Sequence, residues 1–237
     1  MTMLESKAVT KIFGSKTAVD QLSLRLEQGH VYAMLGPNGS GKTTWMKMAA
    51  GLIKPTAGEI LFNGAPVGIE SRKYVAYMST EPYFYPWMTV KSVGQYYDDF
   101  FDDYSPARFE QLVRHMDLTM DMKTRALSSG MMAKLKIAVT MSRAAKVYML
   151  DEPFNGIDLL ARDEIRAAIL QYATPDTLML LSSHLVEEME TIADHAVYIR
   201  EGRLVECCDL EEMRMERGLS MADRYREIYG HAEEVRA

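Results

Sequence analysis

Nine consecutive residues, Gly36, Pro37, Asn38, Gly39, Ser40, Gly41, Lys42, Thr43 and Thr44, concentrate glycines, a lysine and hydroxyls in one short stretch. The spacing Gly-x-x-x-x-Gly-Lys-Thr is that of a loop whose backbone amides converge on phosphate oxygens. Glycines let the backbone curl around an anion, Lys42 adds a compact positive charge, and a helix starting there would aim its positive end at the same point. Thr43 can offer its hydroxyl to magnesium, with Thr44 a weaker phosphate contact. A plain glycine turn is the alternative, but with Gly near 7% of residues a chain of this length meets the full pattern by accident about once in 100.

Phosphate binding alone hydrolyses nothing. A second group is needed, and the apolar run Val147-Tyr148-Met149-Leu150 ends in Asp151 and Glu152. In a parallel sheet that delivers both carboxylates to the carboxyl edge, where ligands bind in such folds. Asp151 would hold magnesium, directly or through water, and Glu152 could accept the proton of an attacking water. An Asp-Glu pair at a strand end is usually solvated surface; its pairing with the glycine loop makes it a candidate site.

These residues need a scaffold, and the pattern supplies one. His30 to Leu35 reads as a short apolar strand that runs into the loop and then into a helix through Met48. Lys146 to Leu150 and Thr177 to Leu181 read as buried strands, with amphipathic helices at Leu159 to Tyr172 and Val186 to Ala193. Strands alternating with helices imply a parallel sheet. Lys7 to Phe13, Ala18 to Glu27 and Glu59 to Phe62, separated by glycine-bearing turns, predict an antiparallel layer. Thr89 to Arg143 has helical periodicity, His195 to Arg200 and Arg203 to Glu206 form a last hairpin, and the tail beyond Asp209 is charged and helical.

The expected fold is therefore α/β: a P-loop NTPase core with a mostly parallel sheet, an N-terminal antiparallel β subdomain and an inserted helical subdomain. The expected division of this single domain is 1–82 with 144–237 for the core and 83–143 for the helical part.

Composition narrows the function classes. The chain has 237 residues, 48% of them hydrophobic, enough for a packed core with one elaboration. Its formal net charge of −6 lacks the basic footprint of a nucleic-acid binder. Cys207 and Cys208 are adjacent, which suits neither an ordinary intrachain bridge nor a zinc site and predicts reduced thiols. Met1 to Thr10 lacks the apolar core of a signal peptide, and no run approaches the roughly 20 apolar residues that span a bilayer. Any membrane role must come through a partner rather than direct insertion.

Further motifs appear in a fixed order. Leu127-Ser128-Ser129-Gly130-Met131 lies about 20 residues before Asp151-Glu152-Pro153; Asn155-Gly156-Ile157-Asp158 follows, then His184 after an apolar strand, with Phe13 ahead of the second strand. Each is weak alone, but together they resemble the nucleotide-binding subunit of ATP-binding cassette transporters along nearly the whole chain. The resemblance implies ATP and Mg2+, and two cassettes meeting head to tail, either identical or paralogous. Ser128, Ser129 and Gly130 of one subunit would then cover the γ-phosphate held by Gly36 to Thr44 of the other.

By the same resemblance Phe13 stacks on adenine, His184 bonds the γ-phosphate and orients Glu152, and Asp158 senses the opposite site. The partner is a transmembrane permease, which places the chain in the cytoplasm on the inner face of the cell membrane. Two features depart from the family pattern. Met131 and Ser129 replace a glutamine and a glycine of the signature, and Thr80 stands where a magnesium-touching glutamine is usual, with Glu81 as a candidate substitute. These features are similar to those of small bacterial exporters with separate permease chains. The alternative is a soluble cassette ATPase or nucleotide switch uncoupled from transport. Tyr83 to Met88 is expected to be an exposed apolar dock for the permease, and Asp98 to Tyr104 a solvated helix end.

Overall fold

The computed structural model describes residues 1–233, with backbone only for 160 and 231–233. Strands β1 (Thr2–Phe13) and β2 (Lys16–Glu27) form a long hairpin, followed by β3 (Val31–Leu35), helix α1 (Lys42–Ala49), β4 (Ala57–Phe62), the short β5 (Ala65–Pro66), α2 (Ile69–Arg72) and β6 (Val75–Met78). The chain then turns helical through α3 (Val90–Phe100), α4 (Pro106–His115), a 3-10 turn at Thr124–Ala126 and α5 (Ser129–Met141). It returns through β7 (Val147–Asp151), α6 (Leu159–Tyr172), β8 (Leu178–Ser183), α7 (Val186–Glu190), the hairpin of β9 (His195–Arg200) and β10 (Arg203–Asp209), α8 (Leu210–Arg217) and α9 (Met221–Glu233).

Two sheets result. The antiparallel one has the order β2-β1-β4-β5; the other runs β10-β9-β3-β8-β7-β6, with every neighbouring pair parallel except the β9-β10 edge. Strands β3, β7 and β8 are buried along their whole length, which explains their uninterrupted apolar runs: a parallel sheet is covered on both faces. Period-two alternation divides their side chains between two cores. Ala33, Leu35, Leu150 and Leu181 face α5, α6 and α9, whereas Met34, Met149 and Leu180 face Trp45 of α1 and the antiparallel layer. Trp45 is wholly buried, and its indole N–H donates to Ser6 Oγ at 3.3 Å.

The strand-loop-helix order and the α6 bounds agree with the sequence reading, while several edges differ for identifiable reasons. Strand β1 begins at Thr2, not Lys7, because register shifts between Ser6 and Val9, with Ala8 at φ 45°, break the alternation that marks a strand. Strand β10 continues to Asp209 because its ladder with β9 does, and α7 stops at Glu190, short of Ala193. The segment Asp98 to Tyr104 is only partly solvated: Tyr104 is buried, and Asp103 pairs with Arg143 at 2.9 Å.

Two cations tie the helices to the sheet. Lys136 of α5 donates from Nζ to the carbonyls of Ser79, Thr80 and Glu81 at 2.9 to 3.0 Å. Arg143, just past α5, donates to the carbonyls of Val75 and Lys73 and to both Asp103 oxygens, with its guanidinium 4.0 Å from the Phe101 ring centre. Through charged donors on backbone carbonyls, Lys136 fixes the loop after β6 against α5 and Arg143 clasps the start of β6.

Candidate phosphate and hydrolysis site

The loop from Gly36 to Gly41 leaves β3 and enters α1 at Lys42. Two of its glycines answer to close packing. A Cβ on Gly36 would sit 2.3 Å from Ile199 O, and one on Gly41, at φ 106°, would sit 2.5 Å from Ala18 O. Lys42 is 5% exposed, and its Nζ donates to the carbonyls of Gly36 at 2.7 Å and Pro37 at 3.3 Å. Burial pulls its pKa down, opposed by Glu152 and Asp151. Ser40 is also buried, and its hydroxyl has no hydrogen-bond partner. A buried ammonium and an unsatisfied hydroxyl, beside amides at a helix start, are chemistry that fits phosphate oxyanions.

Asp151 closes β7 fully buried. Its Oδ1 accepts from Thr43 Oγ1 at 3.1 Å and from Ser182 Oγ at 2.6 Å, and its Oδ2 accepts from the Tyr77 hydroxyl at 3.2 Å. A hydroxyl and a carboxylate in contact are hard oxygen donors of the kind Mg2+ takes. Burial, with the neighbouring Asp151 carboxylate, pushes the Tyr77 phenol pKa well up. The phenol therefore stays a donor.

Glu152 occupies the left-handed region at φ 51°, a strained conformation for a non-glycine residue. Its N–H donates to Ser182 O at 3.2 Å and to Ser182 Oγ at 3.0 Å, so the end of β8 holds the turn in place. The turn aims the side chain between an imidazole and an ammonium: Oε2 is 2.9 Å from His184 Nδ1, and Oε1 is 3.9 Å from Lys42 Nζ. Glu152 is largely enclosed while His184 is half exposed. A carboxylate oriented by an imidazole beside a phosphate-binding lysine can accept a proton from water.

These groups open onto one cleft of about 390 Å³, walled by Asn38 to Thr44, Thr80, Glu152, Asn155, His184, Lys16 and Ala18. The structure thus gathers Lys42, Thr43, Thr44, Glu152 and His184, with Asp151 behind Thr43. Phe13 is outside these walls, half exposed at the end of β1 with Lys11 Nζ 5.0 Å from its ring centre.

Ser128, Ser129, Gly130 and Asp158 are also absent from the cleft walls. They form a separate cluster at the start of α5. Ser128 caps that helix by accepting from Met131 N at 3.2 Å, a contact that stabilises a helix by about 1 kcal/mol. Ser129 Oγ donates to Gly156 O at 2.9 Å, and Asp158 caps α6 through Ala161 N at 3.0 Å. A Cβ on Gly130 would lie 3.3 Å from Ile157 Cγ2, so the two motifs pack on each other.

Two expectations change, and one feature is new. Glu81 does not substitute for the missing glutamine: its carboxylate pairs with Lys47 Nζ at 2.9 Å, which holds its pKa below the usual range, and it does not line the cleft. The Tyr83 to Met88 cluster is not exposed throughout. Met88 is buried and Tyr83 and Phe84 are half buried; Tyr85 and Trp87 remain exposed and stack at 5.6 Å with planes 9° apart. The two hydroxyls of Tyr77 and Ser182 on Asp151 escaped the sequence reading. Their signal was a polar group near the end of an otherwise apolar strand, placed level with β7 by the parallel register.

Residues 19–155 match the family described as ABC transporter. The chain is 32% identical over 219 residues, 90% of this chain and 71% of the relative, to the uncharacterized ABC transporter ATP-binding protein YcbN of Bacillus subtilis. It is 29% identical, over 86% of this chain and 89% of the relative, to the lantibiotic transport ATP-binding protein SrtF of Streptococcus pyogenes. Among solved structures, the ATP-binding subunit of an ABC transporter superposes with a TM-score of 0.85 at 27% identity, covering 95% of this chain and 99% of the other.

Proposed function

We propose, for a chain that belongs to the ABC transporter family, that ATP hydrolysis between two such cassettes drives a separate membrane permease in export. The observation that carries this reading is the placement of Glu152 between His184 and Lys42 in the cleft of the glycine loop. ATP is the substrate and Mg2+ the cofactor. Amides of Gly39 to Thr44, with Lys42 and Ser40, bind the phosphates, and Gly36, Pro37 and Asn38 shape the loop. Thr43 and Asp151 hold the metal, which supplies charge neutralisation at the phosphate oxygens. Glu152 positions the attacking water and takes its proton. His184 fixes the Glu152 rotamer and turns toward the γ-phosphate, and Phe13 covers the adenine. Thr80 is too short to reach the metal as a glutamine does, and the hydroxyls of Tyr77 and Ser182 steady Asp151.

Ser128, Ser129 and Gly130 lie off their own cleft, which leaves them to cap the nucleotide of a second cassette, with Asp158 beside them. Transition-state charge on a transferring phosphoryl group must be met on every side, and a helix N-terminus brought by a partner meets it on the open side. The second cassette is an identical chain or a paralogue. Residues 83–143 act as the helical subdomain that moves against the core of 1–82 and 144–237.

Export is supported by likeness to a lantibiotic transport protein, and the transporter relatives disfavour an uncoupled soluble ATPase. No helix among the described residues is long and apolar enough to cross a membrane. The permease therefore supplies attachment to the cytoplasmic face, with the exposed Tyr85–Trp87 stack as part of the dock. Glu152→Gln tests the chemistry. It should bind ATP, lose steady turnover by about 10²-fold or more, and accumulate as an ATP-bound dimer; normal turnover would remove Glu152 from the base role.

A further inference from the structure

The parallel strands β3 and β9 end near the phosphate loop; at their opposite ends, about 17 Å away along β3, they carry a second cluster of chemistry-bearing side chains. His30 precedes β3, and Asp194 and His195 sit where β9 starts. Asp194 Oδ2 is 3.2 Å from His30 Nδ1, and Asp194 Oδ1 is 2.9 Å from His195 Nδ1. One donor atom from each of the three lies within 4.8 Å of the other two. The imidazole rings lie 4.5 Å apart at 66°. The ATPase reading has no use for this group.

The backbone holds the cluster in place. Val31 N–H donates to Asp194 Oδ1 at 3.0 Å, and Asp194 N–H donates to Val31 O at 3.0 Å, so the carboxylate is fixed to β3 from both sides. His195 is the most enclosed of the three, packed against the Tyr32 ring at 4.8 Å. Its far nitrogen, Nε2, lies 3.7 Å from Asp209 Oδ2. At that distance Asp209 makes no hydrogen bond, but it stands behind one ring nitrogen while the other faces the shared centre, and a small shift would give the carboxylate–histidine pairing that orients histidine toward a metal.

We propose that His30, Asp194 and His195 form a site for a divalent transition metal ion of the zinc type, bound through both Nδ1 atoms and the Asp194 carboxylate, with water completing the coordination. Tetrahedral coordination at about 2.0 to 2.1 Å per ligand requires donor atoms about 3.4 Å apart. The two nitrogen–carboxylate distances of 3.2 and 2.9 Å are near that value, the three donors lie within 4.8 Å of one another, and the half-exposed His30 and Asp194 side chains can close the difference. Two imidazoles and one carboxylate favour zinc, nickel or cobalt over magnesium, which demands an octahedral oxygen shell. The site is thus chemically distinct from the Thr43–Asp151 pair. A bound ion would cross-link the starts of β3 and β9 and raise the unfolding temperature of the sheet that carries the phosphate loop.

The test is calorimetric titration of Zn2+ into the untagged, chelator-treated full chain without nucleotide, beside His30→Ala, His195→Ala and a Cys207→Ser/Cys208→Ser double variant. The expected result is one saturable equivalent per chain. Affinity should fall about tenfold or more in either histidine variant and stay unchanged in the cysteine variant. Co2+ should give visible d–d bands without thiolate charge transfer. His30→Ala is the safest variant, since that ring is half exposed; its metal-free unfolding temperature checks its fold. No saturable binding to the wild-type chain would overturn the proposal, as would binding that survives both histidine changes or disappears with the cysteines.

Discussion

Lys42 shows how one buried charge can wait for a ligand. In this structure its ammonium is satisfied by the Gly36 and Pro37 carbonyls and leans toward Glu152 at 3.9 Å. Burial already penalises its charge, and a phosphate anion at the loop would offset that penalty. Lys42→Ala should therefore weaken nucleotide binding by about ten- to a hundredfold, the worth of a hydrogen bond to a charged group. Fluorescent-nucleotide titration would show it, and unchanged affinity would assign Lys42 to structure alone. Lys42, Asp151, Glu152 and His184 were readable from sequence because each ends or follows an apolar strand or a glycine turn. Tyr77 and Ser182 were not, because their hydroxyls reach Asp151 only through the parallel pairing of β6, β7 and β8, which no local pattern records.

At the scale of elements, β6 is clasped at both ends: Lys136 of α5 holds the loop that follows it, and Arg143 holds the backbone where it starts. Arg143 is 4% exposed and bonds two carbonyls and Asp103. Arg143→Ala would leave those carbonyls and a half-enclosed carboxylate without their cation. We expect it to destabilise the protein by about 2 to 4 kcal/mol, measured by urea unfolding. A loss under 0.5 kcal/mol would mean that apolar packing alone holds the helices to the sheet. The sequence predicted that helices lie between Thr89 and Arg143, because their apolar periodicity is local. It could not show which cations clasp them to the sheet, since the partners are backbone carbonyls some 55 to 70 residues away. The bulge at Ala8 hid the first half of β1 for a related reason: alternation fails where the register shifts.

For the whole molecule, the site and the signature point to different places. The cleft is lined by the glycine loop, Glu152 and His184, whereas Ser128 to Gly130 pack on Gly156 and Ile157 of their own chain. Coupling outward has its own surface. Replacing both Tyr85 and Trp87 by Ala should leave the ATPase rate of the isolated chain within about twofold, since exposed side chains contribute little to the fold. The same change should reduce co-purification with the permease. Undiminished co-purification and transport would move the dock elsewhere. Met88, predicted to belong to that surface, is instead core: after the exposed Tyr85, Pro86 and Trp87 the chain turns inward on its way into α3.

If one chain holds half of each hydrolysis site, ATP turnover per chain must depend on chain concentration, and measuring that dependence decides the matter. Turnover per chain should rise with concentration, at saturating ATP, until cassettes are paired, while the ATP affinity of the dilute chain persists. Turnover per chain that is constant from the most dilute sample upward would contradict it, because a single chain would then complete the site with its own residues.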